Sequence, residues 1–234
     1  MSMNKQVQDY FKDWYRFIPE QELTNVLASL EVIYNNRTGV SPIKSKVFEV
    51  FNKTEYSKLK LVIIGQDPYT SSINATGFAF ANPKDVQTIS PSLRVIEHAL
   101  INPNKTDYLF KKLDYSLENW VNQGVLLLNS VMTTELRDYD SLHAKVWRPF
   151  MTKFLENLSS ANPGMIYILF GEEAKTLAPY INKGHILYEK HPSYYARTGT
   201  PMTGRVFAEA NEWLKLINND KIEWYEKKLE SSGE

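Results

Sequence analysis

Hydrophobic positions along this chain change period several times. Four runs are continuously or nearly continuously apolar: Leu61-Val62-Ile63-Ile64, Val125-Leu126-Leu127-Leu128, Met165-Ile166-Tyr167-Ile168-Leu169-Phe170 and His185-Ile186-Leu187-Tyr188-Glu189. Unbroken runs of this length mark strands buried on both faces, as in parallel sheets. They predict strands over 59–64, 125–128, 165–170 and 185–189. Between them apolar residues recur at helical spacing. Leu23, Val26, Leu27, Leu30 and Ile33 predict helix within 7–35, and 42–50 reads as a connector or short helix. Ser90-Pro91 opens a helix carrying Leu93, Ile96 and Leu100, with Ser at the N-cap and Pro at the first helical position. Met151, Phe154, Leu155 and Leu158 predict a helix over 148–159. Another spans 172–181, where Glu172 and Glu173 complement the helix dipole. Val206, Phe207, Ala210, Trp213, Leu214 and Ile217 share one face of a helix over 203–217.

Strands alternating with helices predict an α/β fold: three layers, α/β/α, around a central four-stranded, mostly parallel sheet. No repeat or low-complexity linker interrupts the chain. One domain over 1–234 is therefore expected, with a helical portion over 1–40 and a partly ordered tail over 219–234, where Ile222 and Trp224 are able to dock.

Each predicted strand runs into a chemically distinctive residue: Asp67, Asn129, Gly171 and His191. In a parallel sheet all four ends lie along one edge, where open α/β sheets bind their ligands. Each residue also has a plainer reading. Asp67-Pro68 can simply make a turn, Asn129 can cap one, Phe80 can fill a core, and a histidine beside Pro192 can belong to a surface loop. Convergence on one edge is what favours chemistry.

Composition narrows the chemistry. Among 234 residues, 27 are Lys or Arg and 27 are Asp or Glu, so no global basic field advertises a nucleic-acid partner. Any such binding would rest on a local patch. The chain has no cysteine, which excludes disulfides, thiolate zinc sites and cysteine-ligated clusters. Its four histidines are scattered, so neither a metal nor a cofactor is expected. The 14 Tyr, 11 Phe and 5 Trp can stack on bases, but such residues more often fill cores. The first fifteen residues are polar and no run is long enough to span a bilayer. A monomer without membrane attachment, in the cytoplasm or nucleus, is the expectation. Neither a Gly-rich phosphate loop nor a nucleophile elbow is present, which argues against an unrelated nucleotide binder or α/β hydrolase.

The motifs at the strand ends resemble the uracil-N-glycosylase branch of the uracil-DNA glycosylases. Gly65-Gln66-Asp67-Pro68-Tyr69 is similar to that family's water-activating motif, and Gly77-Phe78-Ala79-Phe80 to the segment bearing its uracil-stacking phenylalanine. Ser90-Pro91-Ser92-Leu93 resembles its proline-rich loop. Gly124-Val125-Leu126-Leu127-Leu128-Asn129-Ser130 resembles the strand bearing its uracil-reading asparagine. Residues 168–175 resemble its Gly-Ser loop and helix, and His191-Pro192-Ser193 its histidine-bearing insertion loop. The motifs keep the family's order across 44–225, while the first forty residues resemble it loosely.

The resemblance implies hydrolysis of the N-glycosidic bond between uracil and deoxyribose in single- or double-stranded DNA, with the base flipped out and an abasic site left for base-excision repair. It implies catalytic roles for Asp67 and His191, uracil binding by Gln66, Tyr69, Phe80 and Asn129, and DNA contacts from Ser92, Gly171, Ser193, Tyr195 and Arg197. It also implies a DNA-mimicking inhibitor protein as a possible partner. The alternative is a catalytically weak member serving as a DNA-binding or replication accessory module. Retention of Asp67, Asn129 and His191 together favours the enzyme. Several positions depart from the family pattern, mostly where DNA is held. Thr70 stands for a histidine, Glu172 for a serine, Tyr195 for a wedging leucine and Tyr194 for a proline, and the proline-rich loop keeps only Pro91. His143 and Trp147 resemble a shortened helix-entry motif and read as structural.

Overall fold

The computed structural model describes residues 5–101, 111–136 and 141–227. In chain order it contains α1 (Lys5–Phe11), α2 (Glu20–Asn36), α3 (Glu49–Lys53), β1 (Leu61–Gly65), α4 (Pro91–Leu100), β2 (Lys111–Lys112) and α5 (Glu118–Asn122). There follow β3 (Val125–Asn129), α6 (Leu142–Ala161), β4 (Ile166–Phe170), α7 (Gly171–Lys175), β5 (His185–Glu189), α8 (Pro192–Thr198), α9 (Arg205–Leu216) and β6 (Glu226–Lys227). Four strands form a wholly parallel sheet in the order β3-β1-β4-β5. This is the expected α/β architecture.

Strand alternation explains the layers. Val62, Ile64, Leu126, Leu128, Tyr167 and Leu169 face an apolar cluster that includes Leu23 and Val26 of α2, Phe51 of α3, and Trp147, Phe150 and Phe154 of α6. The intervening Leu61, Ile63, Val125, Leu127, Ile166 and Ile168 face the opposite cluster, with Leu93 and Ile96 of α4, Trp120 of α5 and Phe207 and Leu214 of α9. Burying each large aliphatic or aromatic side chain contributes about 1.5–3 kcal/mol. The two faces therefore fix the sheet, and the sheet fixes where its carboxyl ends fall.

Several boundaries differ from the sequence expectation. The helix expected from residue 148 begins at Leu142, before the clear apolar repeat. The one expected over 172–181 is split into α7 and a 3-10 turn at Ala178–Tyr180. Pro179 explains the split, since it donates no hydrogen bond and disfavours α geometry at the residue before it. The histidine-bearing segment, expected as a loop, continues into α8 and stops at Gly199, which has φ +67°. Ser90 is the N-cap of α4 as expected, although its side chain makes no capping bond.

The tail is better tied than expected up to residue 227. Trp224 donates its indole N–H to the Phe207 carbonyl (3.1 Å) and accepts one from the Trp120 indole at its own carbonyl (2.9 Å). Asn211 brackets Ile222 with two hydrogen bonds, and β6 pairs antiparallel with β2. Residues 1–4 of the expected helical portion and 228–234 of the expected tail lie outside the described residues. Among the described residues no helix is long and apolar enough to cross a membrane.

Candidate active site

The carboxyl ends of β1 and β3 lie side by side, with Gly65 in register with Asn129. Beyond them Ser130 N–H donates to the Gly65 carbonyl (3.0 Å), and Val131 N–H and Ser130 Oγ both donate to the Gln66 carbonyl (2.9 and 2.8 Å). This extra pairing carries the chain past the strand end and delivers Asp67 to the rim. A β-carbon on Gly65 would lie 2.9 Å from Asn129 Oδ1 and 3.1 Å from Phe80 Cζ. Only glycine lets the amide and the ring meet over that strand end. Asn129 is 6% exposed, and its amide oxygen stands at the strand end on the same side as the Phe80 ring.

Phe80 has φ +67°, an uncommon conformation for a residue with a β-carbon and one that costs about 1–3 kcal/mol. Surrounding bonds hold it there. Tyr69 Oη donates to the Phe80 carbonyl (2.6 Å), and Ala79 N–H donates to the Leu127 carbonyl (3.1 Å). Burial pushes the Tyr69 phenol up to about 12, so it remains a donor at neutral pH. The Phe80 ring packs edge-on against Phe170, 5.2 Å between centroids, and lies 5.6 Å from the His191 ring.

His191 sits under a second close approach. Gly171 has φ +86°, and a β-carbon there would lie 2.9 Å from His191 Cβ. Ser193 N–H donates to His191 Nδ1 (3.2 Å), and Ser193 Oγ lies 2.8 Å from the same nitrogen. An accepting Nδ1 puts the proton of the neutral ring on Nε2. Burial, and secondarily the Arg197 charge, hold the imidazole below its usual pKa, so the neutral donor form prevails.

Asp67, Tyr69, Phe80, Ser92 and His191 line one recess of about 100 Å³, together with Pro68, Ala75, Thr76, Gly77 and Phe78. Asn129 Oδ1 and the Phe80 ring both close on the same point over Gly65, and Gly171 makes room for His191. Of the catalytic and uracil-binding side chains expected from sequence, Asp67, Tyr69, Phe80 and His191 are thus brought together, Asn129 stands beside the recess over Gly65 without lining it, and Gln66 is exposed with its carbonyl engaged in the turn. Sequence reading missed Ala75, Thr76 and Phe78. They carry no reactive group and became visible only when the loop closed over the recess.

The DNA-contact candidates are more dispersed. Ser92 starts α4, which packs on α8, and faces the recess. Ser193 is occupied with His191, while Arg197 is exposed. Tyr195 does not project freely: its hydroxyl donates to Glu189 Oε1 (2.6 Å) and its ring packs on the core. Tyr194 is the exposed ring, at 36%, with Lys190 Nζ 4.2 Å from its centroid. The Glu172 side chain is 90% exposed and turns toward Lys175 Nζ (3.6 Å). His143 and Trp147 are fully buried and meet at Thr133 Oγ1, a structural arrangement as read. Among the described residues no cluster of His, Asp or Glu is placed to hold a metal ion.

Comparison with known proteins agrees with this geometry. The sequence profile described as "Uracil DNA glycosylase superfamily" matches residues 51–215. A uracil-DNA glycosylase of Campylobacter jejuni is 32% identical over 223 residues, covering 91% of this chain and 92% of the relative. One of Streptococcus suis is 31% identical over 217 residues, covering 90% of this chain and 97% of the relative. Mimivirus uracil-DNA glycosylase shares the fold with a TM-score of 0.69 at 23% identity, over 96% of this chain and 93% of that one. A mimivirus UNG variant solved in complex with UGI gives 0.76 at 23% identity, over 95% and 91%. The chain belongs to the uracil-DNA glycosylases of that superfamily.

Two expectations follow from the local geometry. Gly65→Ala should fold, because Gly65 has ordinary strand geometry, yet push Asn129 and Phe80 apart and lower uracil excision by at least about a hundredfold. Wild-type activity in that variant would contradict the close approach. For His191 the folded state favours the neutral ring, so its contribution to stability is complete above about 6.5, the unfolded pKa, and is lost as pH falls from there through the lower folded pKa. Arg197→Ala should raise the His191 pKa in DNA-free protein while burial, the larger cause, keeps it below the unfolded value. An NMR titration showing no rise would remove Arg197 as a cause.

Proposed function

We propose that this chain hydrolyses the bond between uracil and deoxyribose in DNA by extruding the nucleotide into the recess walled by Tyr69, Phe80 and His191. Extrusion costs a few kcal/mol of lost stacking and pairing, offset by contacts made in the pocket. The single observation that carries this reading is the one recess onto which Asp67, Tyr69, Phe80 and a neutral His191 open together, with the Asn129 amide beside it over Gly65.

Phe80 stacks on the flipped ring. Asn129 donates from Nδ2 to the 4-oxo group and accepts the ring N3–H at Oδ1. Cytosine presents the opposite pattern and would leave buried groups unpaired, at about 1–3 kcal/mol each. Tyr69 stands against ring carbon 5 and excludes the thymine methyl, and Gln66 adds contacts from the turn. As the C1′–N1 bond breaks, its electron pair leaves with uracil and the sugar becomes cationic. Asp67 stabilises that cation and orients the water that attacks C1′, whose proton passes to the Asp67 carboxylate. His191 Nε2–H donates to the 2-oxo group, where negative charge gathers, an effect worth about 3–4 kcal/mol for a well-placed donor. No step calls for a metal or cofactor.

Ser92, Gly171, Ser193 and Arg197 hold the flanking phosphates, and Tyr195, parted from Glu189, fills the gap left in the base stack. An inhibitor protein that mimics DNA would dock on the same face, with Tyr195 and Glu172 altering its fit. The protein acts as a single-domain monomer on intracellular DNA.

Incubation with a uracil-containing oligonucleotide should yield alkali-labile breaks; folded protein in excess that releases no uracil ends this reading and leaves the accessory-module alternative. Asp67→Asn and His191→Ala should each lose at least about a hundredfold in single-turnover rate without unfolding. Wild-type rates in either would sink the assigned role. Glu172→Ser should tighten DNA binding and steepen its salt dependence by about one phosphate contact, and an unchanged slope would mean the carboxylate faces away from the backbone.

A further inference from the structure

The wall that meets ring carbon 5 is held by residues that no step of the reaction uses. Asn82 is completely buried. Its Nδ2 donates to Ser90 Oγ (2.7 Å), and its Oδ1 accepts from Ser90 N–H (2.8 Å). Its own N–H donates to the Tyr115 carbonyl (2.8 Å). Ser90 is buried too, and its hydroxyl makes no capping bond to α4. Because Ser90 Oγ accepts from Asn82, its own proton is left for another oxygen. Tyr69 donates to the carbonyl of Phe80, two residues before Asn82. The Asn82–Ser90 pair and the Tyr69 bond thus hold the backbone on and just after Phe80, the residue kept at positive φ.

Placement gives these bonds a purpose. Residues 83–89 form a largely exposed excursion between Asn82 and Ser90. The paired Asn82–Ser90 bonds close that excursion at its base, so motion at its tip is not passed to Phe80 or to Tyr69. A pocket that discriminates by size alone achieves only about 10–200-fold, and a wall that yields achieves less.

We propose that Asn82 and Ser90 are positioning residues that fix Tyr69 and thereby set discrimination against 5-substituted uracils, thymine among them. This rests on the glycosylase reading above and adds residues to it. Neither side chain touches the substrate, so their effect should show as altered selectivity rather than as a uniform loss.

The test compares single-turnover excision of uracil with that of 5-bromouracil and thymine in matched oligonucleotides. Ser90→Ala removes the hydroxyl but keeps the N–H bond to Asn82. Tyr69→Phe keeps the ring but removes the bond to Phe80, and so serves if Ser90→Ala does not fold. Each folded variant should narrow the preference for uracil over the 5-substituted bases by at least about tenfold. Ser90→Thr, which retains a hydroxyl, should restore it. A preference that stays at the wild-type ratio, or parallel loss on all three bases, overturns the proposal. Wild-type protein that releases no uracil removes the glycosylase reading and this one with it, whereas wild-type excision with an unaltered ratio in the variants removes only the clamp.

Discussion

Gly65 ends β1 and Gly171 follows β4, and at each point a neighbouring side chain comes within 2.9 Å of where a β-carbon would stand. Those two approaches bring three distant parts of the chain to one place: the amide of Asn129, the ring of Phe80 and the imidazole of His191. The parallel sheet supplies the scaffold, because its register fixes Gly65 beside Asn129 with no freedom to slip. A slip of one residue would exchange the two buried faces of every strand, at the cost of the core on both sides. Site geometry is thus inherited from core packing.

Much of this was legible in the sequence because the informative residues sit at the ends of strands with strong apolar signals. Unbroken runs such as Leu61 to Ile64 have few alternative readings, and a parallel arrangement sends all their carboxyl ends to one edge. Helix boundaries were harder to read. α6 starts at Leu142 because tertiary contacts of His143 and Trp147 with Thr133 extend it beyond its obvious apolar repeat. Pro179 breaks α7 from the turn that follows, a local effect that the apolar pattern hid.

Long-range polar bonds were not legible at all. Nothing in the spacing of Asn82 and Ser90 tells that they pair, since either residue is at home in a solvated turn. Tyr195 was expected to project like the leucine it replaces, yet its hydroxyl finds Glu189 and leaves Tyr194 exposed instead. A hydroxyl brings a hydrogen-bonding demand that an aliphatic wedge lacks. The electrostatics follow a similar logic. With net charge near zero, binding of a polyanion has to be local, and here Arg197 both offers charge and helps to keep His191 neutral.

Crystals of the protein grown with free uracil examine the arrangement most directly, because the product alone must choose its site. The account places the ring against Phe80, with its 4-oxo group and N3 on the Asn129 amide and its 2-oxo group within hydrogen-bond reach of His191 Nε2. Uracil seated elsewhere, or lying in the recess without reaching both Asn129 and His191, would contradict it.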